Sequence, residues 1–268
     1  MINKDVVKLL VLLAFIMLSC NNNTEEKQEP IINGTTKEGL ENAIKKYPDS
    51  LMLVQNLIEL YRDEGSYDSA LALTDRQIKI DSNNAYLWNL KATLHFENED
   101  TTAAIRSLEH AIEIYPLPEY LIALGTVYAE IKNPKSLAIA NELLINNKEK
   151  SGKDAMFIKG LYYSYSNEKK KAINYFDSSL SMDFTYMLSY REKAIALYDM
   201  GNFEDAVKVL KRAVTIQNNF DEGYYWLGRC YEKLGKKEDA VESFETALLY
   251  DKDFVEAREA LDSLQKTH

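Results

Sequence analysis

A fixed interval of 34 residues between alanines is the feature that most constrains the fold of this 268-residue chain. The alanines are Ala70, Ala104, Ala138, Ala172, Ala206 and Ala240. A period of this length indicates one supersecondary unit repeated along the chain, because such a unit buries its apolar face only against its neighbours. The spacing therefore predicts an array of stacked helical hairpins.

The composition favours helices and disfavours two classes of partner. Ten glycines and five prolines are few for a β-rich or linker-rich chain. The formal net charge of −10 disfavours nucleic acid and anionic lipid surfaces, since binding to either depends on Lys and Arg that neutralise phosphates. We therefore expect an all-α fold and no nucleic-acid partner.

The first twenty residues have the pattern of an export signal. Lys4 and Lys8 precede an apolar run, Leu9–Leu18, that is too short to span a membrane. The serine and Cys20 that follow resemble the signal of bacterial lipoproteins, in which the cysteine receives a diacylglycerol and becomes the N-terminus after cleavage. We predict that 1–19 is a signal peptide that is removed and that Cys20 is the lipid attachment site. Ordinary signal cleavage and a retained anchor are the alternatives.

Residues 20–36 are polar, lack helical periodicity and predict a flexible tether of about 20 to 24 Å. Two or three acyl chains on Cys20 would hold the protein to a bilayer, since each buried methylene contributes about 0.8 kcal/mol. Asn21 is not the aspartate that signals inner-membrane retention in enterobacterial lipoproteins, so the resemblance favours the outer membrane. We expect a lipid-anchored protein of the bacterial cell envelope whose membrane contact is the anchor alone. With Cys20 lipidated, Cys230 has no partner within the chain, and we expect it to be buried.

The last unit of the array shows the internal pattern of the repeat. One face of a predicted first helix carries Tyr224, Leu227, Gly228 and Tyr231, and one face of a second helix carries Ala240, Phe244 and Ala247. These are the i, i+3, i+4 and i+7 spacings of amphipathic helices. Gly235 lies between the two faces and is able to adopt the left-handed conformation that ends a helix. Each unit is predicted to be a helix, a tight turn and a helix.

This unit resembles the tetratricopeptide repeat (TPR), whose pattern asks for a large residue, Leu-Gly, an aromatic residue, and later Ala, an aromatic residue and Ala. The resemblance implies an all-α, right-handed α-solenoid. The implied repeats are 51–84, 85–117, 118–152, 153–186, 187–220 and 221–254. A half repeat over 37–50 precedes them and a capping helix over 255–268 follows. We therefore expect fourteen helices, twelve in repeats and two at the ends.

Two departures from the TPR pattern are visible. The small residue that lets the helices of a hairpin approach closely is Ala92, Gly125, Gly160, Ala194 or Gly228, with Ile58 as the exception. The third repeat has a shorter preceding loop and one extra residue before Ala138, and its second helix carries Glu142 and Ile145 where a large apolar and a small residue are usual. We expect the register to survive there, with weak packing or a bend.

The resemblance also implies a binding groove, because TPR positions 2, 5, 9, 12 and 13 line the concave surface. From the second repeat onward these positions hold Tyr86, Asn89, Phe96, Ile122, Phe157, Leu161, Tyr165, Arg191, Ile195, Tyr198, Tyr225 and Arg229. A solvent-facing surface this rich in aromatic residues predicts a site for a protein or peptide segment. The alternative for any one of them is packing against a neighbouring helix. The paired Lys, Asn and Arg clamps by which some TPR proteins bind a C-terminal carboxylate are absent, and Arg191 and Arg229 are the candidates for meeting an acidic group.

No motif in the sequence supports catalysis, a cofactor or a metal. His95, His110 and His268 share no ligand spacing, and a glycine-rich phosphate loop, a Gly-x-Ser-x-Gly elbow and a Cys-x-x-Cys pair are missing. The leading hypothesis is a non-catalytic envelope lipoprotein that binds a protein segment in its groove. The main alternative is a structural subunit of an outer-membrane assembly or secretion machine. The sequence leaves the oligomeric state open.

Overall fold

The computed structural model of the chain describes residues 36–48 and 50–266, except for the side chain of Asn147. The chain divides into two compact units, Met1–Val127 and Tyr128–His268, and each is described by itself. The predicted signal peptide, Cys20 and the tether up to residue 35 lie outside the described residues.

Thirteen α-helices and no strands lie within the described residues. In chain order they are α1 (Lys37–Lys46), α2 (Leu51–Asp63), α3 (Tyr67–Ile80), α4 (Ala85–Glu97), α5 (Thr101–Ile114), α6 (Pro118–Glu130), α7 (Lys135–Tyr165), α8 (Lys169–Met182), α9 (Met187–Asp199), α10 (Phe203–Ile216), α11 (Asp221–Lys233), α12 (Lys237–Tyr250) and α13 (Val255–Lys266). Consecutive helices form hairpins, and the first helix of five of the six predicted repeats begins at the first residue of that repeat.

The turn within each hairpin has the same backbone conformation in all six repeats. Its left-handed residue is Gly65, Glu99, Lys132, Asn167, Gly201 or Gly235, with φ between 58° and 76°. In each turn the next N–H donates to the carbonyl five residues earlier, as from Lys236 to Tyr231 at 2.9 Å. This closes a Schellman motif, which satisfies the carbonyls at the end of the first helix. The predicted conformation of Gly235 is confirmed.

The two helices of a hairpin meet at a pair of positions whose side-chain volumes are complementary. A Cβ built on Gly160 would lie 2.4 Å from the Phe176 ring, and one on Gly228 would lie 2.5 Å from the Phe244 ring. The same two positions hold the buried pairs Ala92 with Leu108, Ala194 with Leu210, and Ile58 with Thr74. A larger residue on one helix is thus matched by a smaller one on the other. This matching accounts for Ile58, the exception noted in the sequence.

Five of the six periodic alanines are buried, and the third is exposed. Ala70, Ala104, Ala172, Ala206 and Ala240 are at most 1% exposed. In α7, Ile139 and Leu143 are buried instead, while Ala138, Glu142 and Ile145 are exposed. An inward-facing Ala138 would bring Glu142, one turn later, to the core side of the helix. Burying an unpaired carboxylate costs several kcal/mol, more than the roughly 1.5 to 3 kcal/mol lost by exposing an isoleucine. The expectation that the register survives in the third repeat is therefore wrong.

The helix count is one lower than expected because the third and fourth repeats are joined by one continuous helix of 31 residues, α7. Elsewhere the second helix of a repeat ends at a short linker. In two of these linkers an aspartate accepts the N–H two residues on at 2.9 Å, from Thr185 to Asp183 and from Asp253 to Asp251. The corresponding residue in the third repeat is Glu149, a good helix former whose longer side chain does not favour this local turn. The expected break at Gly152 is therefore absent.

The outer helices α1 and α13 cover the apolar surfaces of the hairpins beside them. Leu40 and Ile44 of α1 are buried in the same cluster as Leu53 of α2. At the other end Ala257 is fully buried, and Leu261 packs against the cluster formed by the last two hairpins. Terminal elements with an apolar inner face and a polar outer face are what a repeat array needs at its ends.

Candidate functional site

Four of the twelve predicted groove residues lie in the first unit, on helices α4 and α6. Tyr86, Phe96 and Ile122 are half-buried. The Tyr86 hydroxyl accepts a hydrogen bond from Gln55 Nε2 at 2.7 Å, and burial raises the pKa of Tyr86 to about 12. Asn89 is only 4% exposed, so the prediction that it faces solvent is wrong. Its side chain turns towards the interior, where it lines a small cavity.

That cavity is a packing gap with a volume of about 10 Å³. It is lined by Asn89, Ala92, Thr93, Phe96, Ala104, Leu108 and Val127. The volume is close to the lower limit for one water molecule, so no amino-acid side chain of a partner fits. The cavity adjoins the Ala92 and Leu108 pair.

The polar end of the first unit is occupied by its own ion pairs. Arg62 donates to both carboxylate oxygens of Glu97, at 2.9 Å from Nε and 2.5 Å from Nη2, and its Nη1 lies 3.2 Å from Glu59. The Glu97 hydrogen bond is the largest cause of the raised pKa of Arg62. These charged residues therefore bind one another across two hairpins.

Two of the predicted groove residues in the second unit belong to the core. Phe157 and Leu161, in the second half of α7, are fully buried. The Phe157 ring packs against Phe176 at 5.9 Å and edge-on against Tyr186 at 5.5 Å between centroids. The prediction that these two side chains face solvent is wrong, because the continuous helix α7 and its neighbour α8 enclose them. Tyr165, one turn further along α7, is half-buried.

Arg191 on α9 is also enclosed, at 1% exposed. Its Nε lies 3.1 Å from Glu192 Oε1, and its Nη1 donates to Glu222 of α11. Glu130, at the end of α6, lies near this cluster, and burial raises its pKa to about 8. Its carboxyl group is therefore protonated at neutral pH. The expectation that Arg191 meets an acidic group of a partner is wrong, since two carboxylates of this chain already hold its guanidinium.

The remaining predicted residues form a half-buried surface on α9 and α11. We call it the aromatic patch; it consists of Tyr198, Tyr225, Trp226 and Arg229, and Ile195 on α9 is half-buried as well. The rings of Tyr198 and Trp226 meet at 5.5 Å with their planes 71° apart, and Tyr225 meets Trp226 at 5.5 Å and 73°. The structure thus brings three of the predicted residues, Tyr198, Tyr225 and Arg229, into one surface.

The rings of the patch are held by contacts behind and beside them. Tyr225 packs on Phe244 at 5.9 Å and on Phe254 at 5.0 Å, and its hydroxyl accepts a hydrogen bond from Arg229 Nη1 at 3.0 Å. Phe203 packs edge-on against Tyr198 at 5.1 Å. Because these neighbours fix the rings, a ligand would meet a preorganised surface.

Trp226 is the member of the patch that the sequence analysis missed. It occupies the sixth position of its repeat, which lies outside the set of positions that the TPR resemblance assigns to the groove. The structure brings it into the patch because Tyr198 of the preceding hairpin reaches its ring. A tryptophan directly following Tyr225 on the same helical turn was the available signal.

The described part of the chain contains neither a metal-binding cluster nor a membrane-spanning helix. Residues 36–48 and 50–266 contain no group of three or more His, Cys, Asp and Glu side chains placed to hold a metal ion. Within the same residues no helix combines the length and the apolar character that crossing a membrane requires. Cys230 is a free, buried thiol, as expected, and burial raises its pKa to about 12.

Comparisons with known proteins identify the repeats. Tetratricopeptide repeat models match residues 85–116, 154–186 and 221–254, and a TPR repeat model matches 195–235. A TPR repeat-containing protein of Methanocaldococcus jannaschii is 24% identical over 79% of this chain. The chain spans only 30% to 38% of the length of the curated relatives it matches.

Two solved structures share the fold. A tetratricopeptide repeat protein from Parabacteroides merdae is 20% identical, with a TM-score of 0.69 over 85% of this chain and 91% of that one. PilW, a type IV pilus biogenesis factor, is 19% identical, with a TM-score of 0.59 over 78% of this chain and 97% of that one. At such identities the likeness shows the fold alone. The TPR fold is in general a non-catalytic scaffold for protein interaction. The predicted all-α fold class is confirmed, and the chain contains tetratricopeptide repeats.

Proposed function

We propose that this protein is a non-catalytic lipoprotein of the bacterial envelope that binds an extended protein segment through its aromatic patch. The observation that carries the proposal is the half-buried set of rings on α9 and α11, held from behind by the core. Large, rigid aromatic side chains contribute most of the binding energy at protein interfaces, because they bury much apolar area at little cost in side-chain entropy.

Two polar groups on the patch are free to orient a bound segment. Within the described residues the Trp226 indole N–H and the Tyr198 hydroxyl form no hydrogen bond. Both are able to donate to backbone carbonyls, which every extended segment presents. A patch of apolar rings with a few placed donors is typical of a surface that recognises polypeptide.

The test of segment binding compares variants of matched chemistry. A library of random twelve-residue peptides is selected on the full chain in detergent, and enriched peptides are synthesised and titrated. Tyr198→Ala and Trp226→Ala should each weaken binding about tenfold or more. Tyr115→Ala, which removes a tyrosine that is 62% exposed in the first unit, should leave it unchanged. Peptides whose affinity is the same in both patch variants and in the parent would refute the patch as the site.

The proposed location in the bacterial envelope rests on the sequence of the N-terminus, and a separate experiment tests it. Cys20→Ser removes the thiol to which a diacylglycerol would be attached. We expect the variant to lose incorporation of labelled palmitate and to leave the membrane fraction, since no other anchor is proposed. A protein that stays in the membrane fraction after the substitution would contradict lipidation at Cys20.

A structural subunit of an outer-membrane assembly or secretion machine is the second candidate. It is supported by exposed apolar side chains near the ends of second helices and by the similarity in fold to PilW. These side chains include Ile80, Tyr115, Met182, Phe184, Leu249 and Tyr250. A subunit of this kind should purify from detergent extract at fixed stoichiometry with its partners, whereas a segment-binding module should purify substoichiometrically.

A further inference from the structure

We infer that the segment bound by the aromatic patch is uncharged and rich in proline, in the polyproline II conformation. The inference rests on the proposed function, since it names the chemistry of the partner at that same site. Three features of the patch carry it: the angles between its rings, the kind of hydrogen-bonding group that it leaves free, and its charge.

The rings of the patch form facets at steep angles to one another. The ring planes of Tyr198 and Trp226 meet at an angle of 71°, and those of Tyr225 and Trp226 at 73°. The ring planes of Tyr198 and Phe203 meet at 66°. A polyproline II helix repeats every three residues with a rise of 3.1 Å per residue, so its pyrrolidine rings project as regular ridges. Ridges of this kind fit between upright aromatic rings, which is how proline-rich segments dock on aromatic-lined surfaces in general.

The hydrogen-bonding groups left free on the patch complement such a segment. The Trp226 N–H is a donor only, and the Tyr198 hydroxyl supplies a second donor. A polyproline II segment makes no internal hydrogen bonds, so its carbonyls are available as acceptors. Proline has no N–H, so such a segment leaves few donors unpaired against apolar rings. A β-strand or a mixed extended segment would place several N–H groups against apolar rings, where the Tyr198 hydroxyl is able to accept from at most a few of them.

The charge of the patch favours an uncharged partner. Arg229 is its cation, and the Arg229 Nε lies 3.1 Å from Glu232 Oε2. The two residues are three apart and therefore lie on one face of α11. The Arg229 Nη1 already donates a hydrogen bond to the Tyr225 hydroxyl. The nearby Arg191 is buried and paired with Glu192 and Glu222. Within the patch itself the one cation, Arg229, is paired with Glu232, so the patch offers no unpaired cation that would select an acidic segment.

The experiment uses the fluorescence of Trp226 in the full chain. The chain has two tryptophans, so Trp88→Phe leaves Trp226 as the sole reporter. This protein is titrated in detergent with a proline decamer and with a proline-free decamer that contains leucine and serine. The proline decamer should shift the Trp226 emission to shorter wavelength and bind at least tenfold more tightly than the proline-free peptide.

Variants connect the binding to the geometry. Tyr198→Ala should weaken binding of the proline decamer about tenfold, and Tyr198→Phe, which keeps the ring and removes the hydroxyl, only a few-fold. Tyr115→Ala serves as the control and should bind as the parent does. Circular dichroism of each variant confirms that the helices are retained, and Tyr198→Phe keeps the test informative if the alanine variant does not fold.

The outcomes separate this inference from the proposed function. Equal or tighter binding of the proline-free peptide at the patch overturns the preference for proline and leaves segment binding in place. An unchanged Trp226 emission with the proline decamer, together with binding of the leucine peptide, has the same meaning. Failure of both decamers and of every peptide selected from the random library to bind would overturn both proposals.

Discussion

The fourth and sixth hairpins have the same internal construction but present different first-helix surfaces. Each has a glycine that faces a phenylalanine ring, Gly160 with Phe176 and Gly228 with Phe244, and each turns through a Schellman motif. In the fourth hairpin the side chain at repeat position 5, Phe157, is fully buried. In the sixth the equivalent Tyr225 is half-buried and forms part of the aromatic patch.

The difference lies in how each hairpin is joined to the one before it. The sixth follows a linker whose last residue, Phe220, is buried between hairpins, and α11 begins as a separate helix. The fourth begins inside α7, so its first helix takes the direction of the helix that precedes it. The junction differs for this pair, but it is not the sole determinant: Asn89 and Arg191 occupy the same repeat position on helices that follow separate linkers, and both are buried. The elements packed beside each hairpin therefore decide, together with the junction, whether this position is core or surface. The repeat pattern alone does not specify which.

Removing the ring at position 5 should show the largest contrast between the two hairpins. Phe157→Ala should lower the free energy of unfolding by about 3 to 5 kcal/mol, because it leaves a cavity between Phe176 and Tyr186. Tyr225→Ala should lower the free energy of unfolding by about half that amount or less, because part of the Tyr225 ring is already exposed to water. Urea unfolding followed by circular dichroism measures both. Equal costs would mean that Tyr225 is as much a core residue as Phe157 and would weaken the case for the patch.

A proline introduced at the junction tests the role of the continuous helix. Lys150 occupies the repeat position that holds Pro116 in the second repeat, once the extra residue of the third repeat is counted. Lys150→Pro should lower the free energy of unfolding by about 3 kcal/mol, because proline in a helix interior removes a hydrogen bond and clashes with the preceding turn.

The control for that variant is the same substitution in a true linker. Lys252 occupies the same position after α12 and lies between helices. Lys252→Pro should change stability by less than about 0.5 kcal/mol, as expected for a surface change outside a helix. If Lys150→Pro were equally harmless, the helix would tolerate a break there and its continuity would not explain the burial of Phe157.

The sequence specifies the interior of each hairpin better than the joints between hairpins. Outside the third repeat, the apolar periodicity, Gly235 and the end helices follow from local spacing and are found where the spacing predicts them. The left-handed conformation of Lys132 has no local signal, since only the repeat frame requires it. The continuation of α7 depends on the absence of a helix-ending residue near Glu149. The 34-residue period predicts a helix end there, and the absence of one local signal is too weak to overrule that prediction from the sequence alone.

The candidate site shows the same division between local and long-range information. Tyr198, Tyr225 and Arg229 were found from their positions in the repeat. The burial of Phe157 and Arg191 was not, because it depends on which helices pack beside them. Repeat positions identify one face of a helix, whereas the neighbouring hairpins decide whether that face meets solvent.

A double-mutant cycle sharpens the claim that the two hairpins share a common interior. Gly228→Ala should lower stability by about 1 to 3 kcal/mol, because the added Cβ would lie 2.5 Å from the Phe244 ring. Phe244→Leu alone should also be destabilising through the cavity it leaves. The double variant has the alanine and leucine pair found at Ala194 and Leu210, so its cost should be smaller than the two single costs added together.

Additive costs in that cycle would contradict the volume matching. The matched control combines Gly228→Ala with Phe176→Leu, whose ring belongs to the fourth hairpin and faces Gly160 instead. These two sites share no contact partner, so their effects should add within about 0.5 kcal/mol. The coupling expected for the first pair is therefore specific to residues that face each other within one hairpin.

The smallest expected effect is at the turns, which all six hairpins share. Lys132 is exposed and left-handed at φ 58°, a conformation that costs an L-residue about 1 to 2 kcal/mol and costs glycine almost nothing. Part of the gain is lost to the greater freedom of glycine in the unfolded chain. Lys132→Gly should therefore stabilise the protein by about 0.5 to 1 kcal/mol. Lys208→Gly, inside α10, should instead destabilise it by about 1 kcal/mol, because glycine there has no left-handed strain to relieve, costs helix propensity and removes the exposed Lys208–Asp205 ion pair. If both substitutions had the same sign, the left-handed turn in the third repeat would not carry the strain that its backbone indicates.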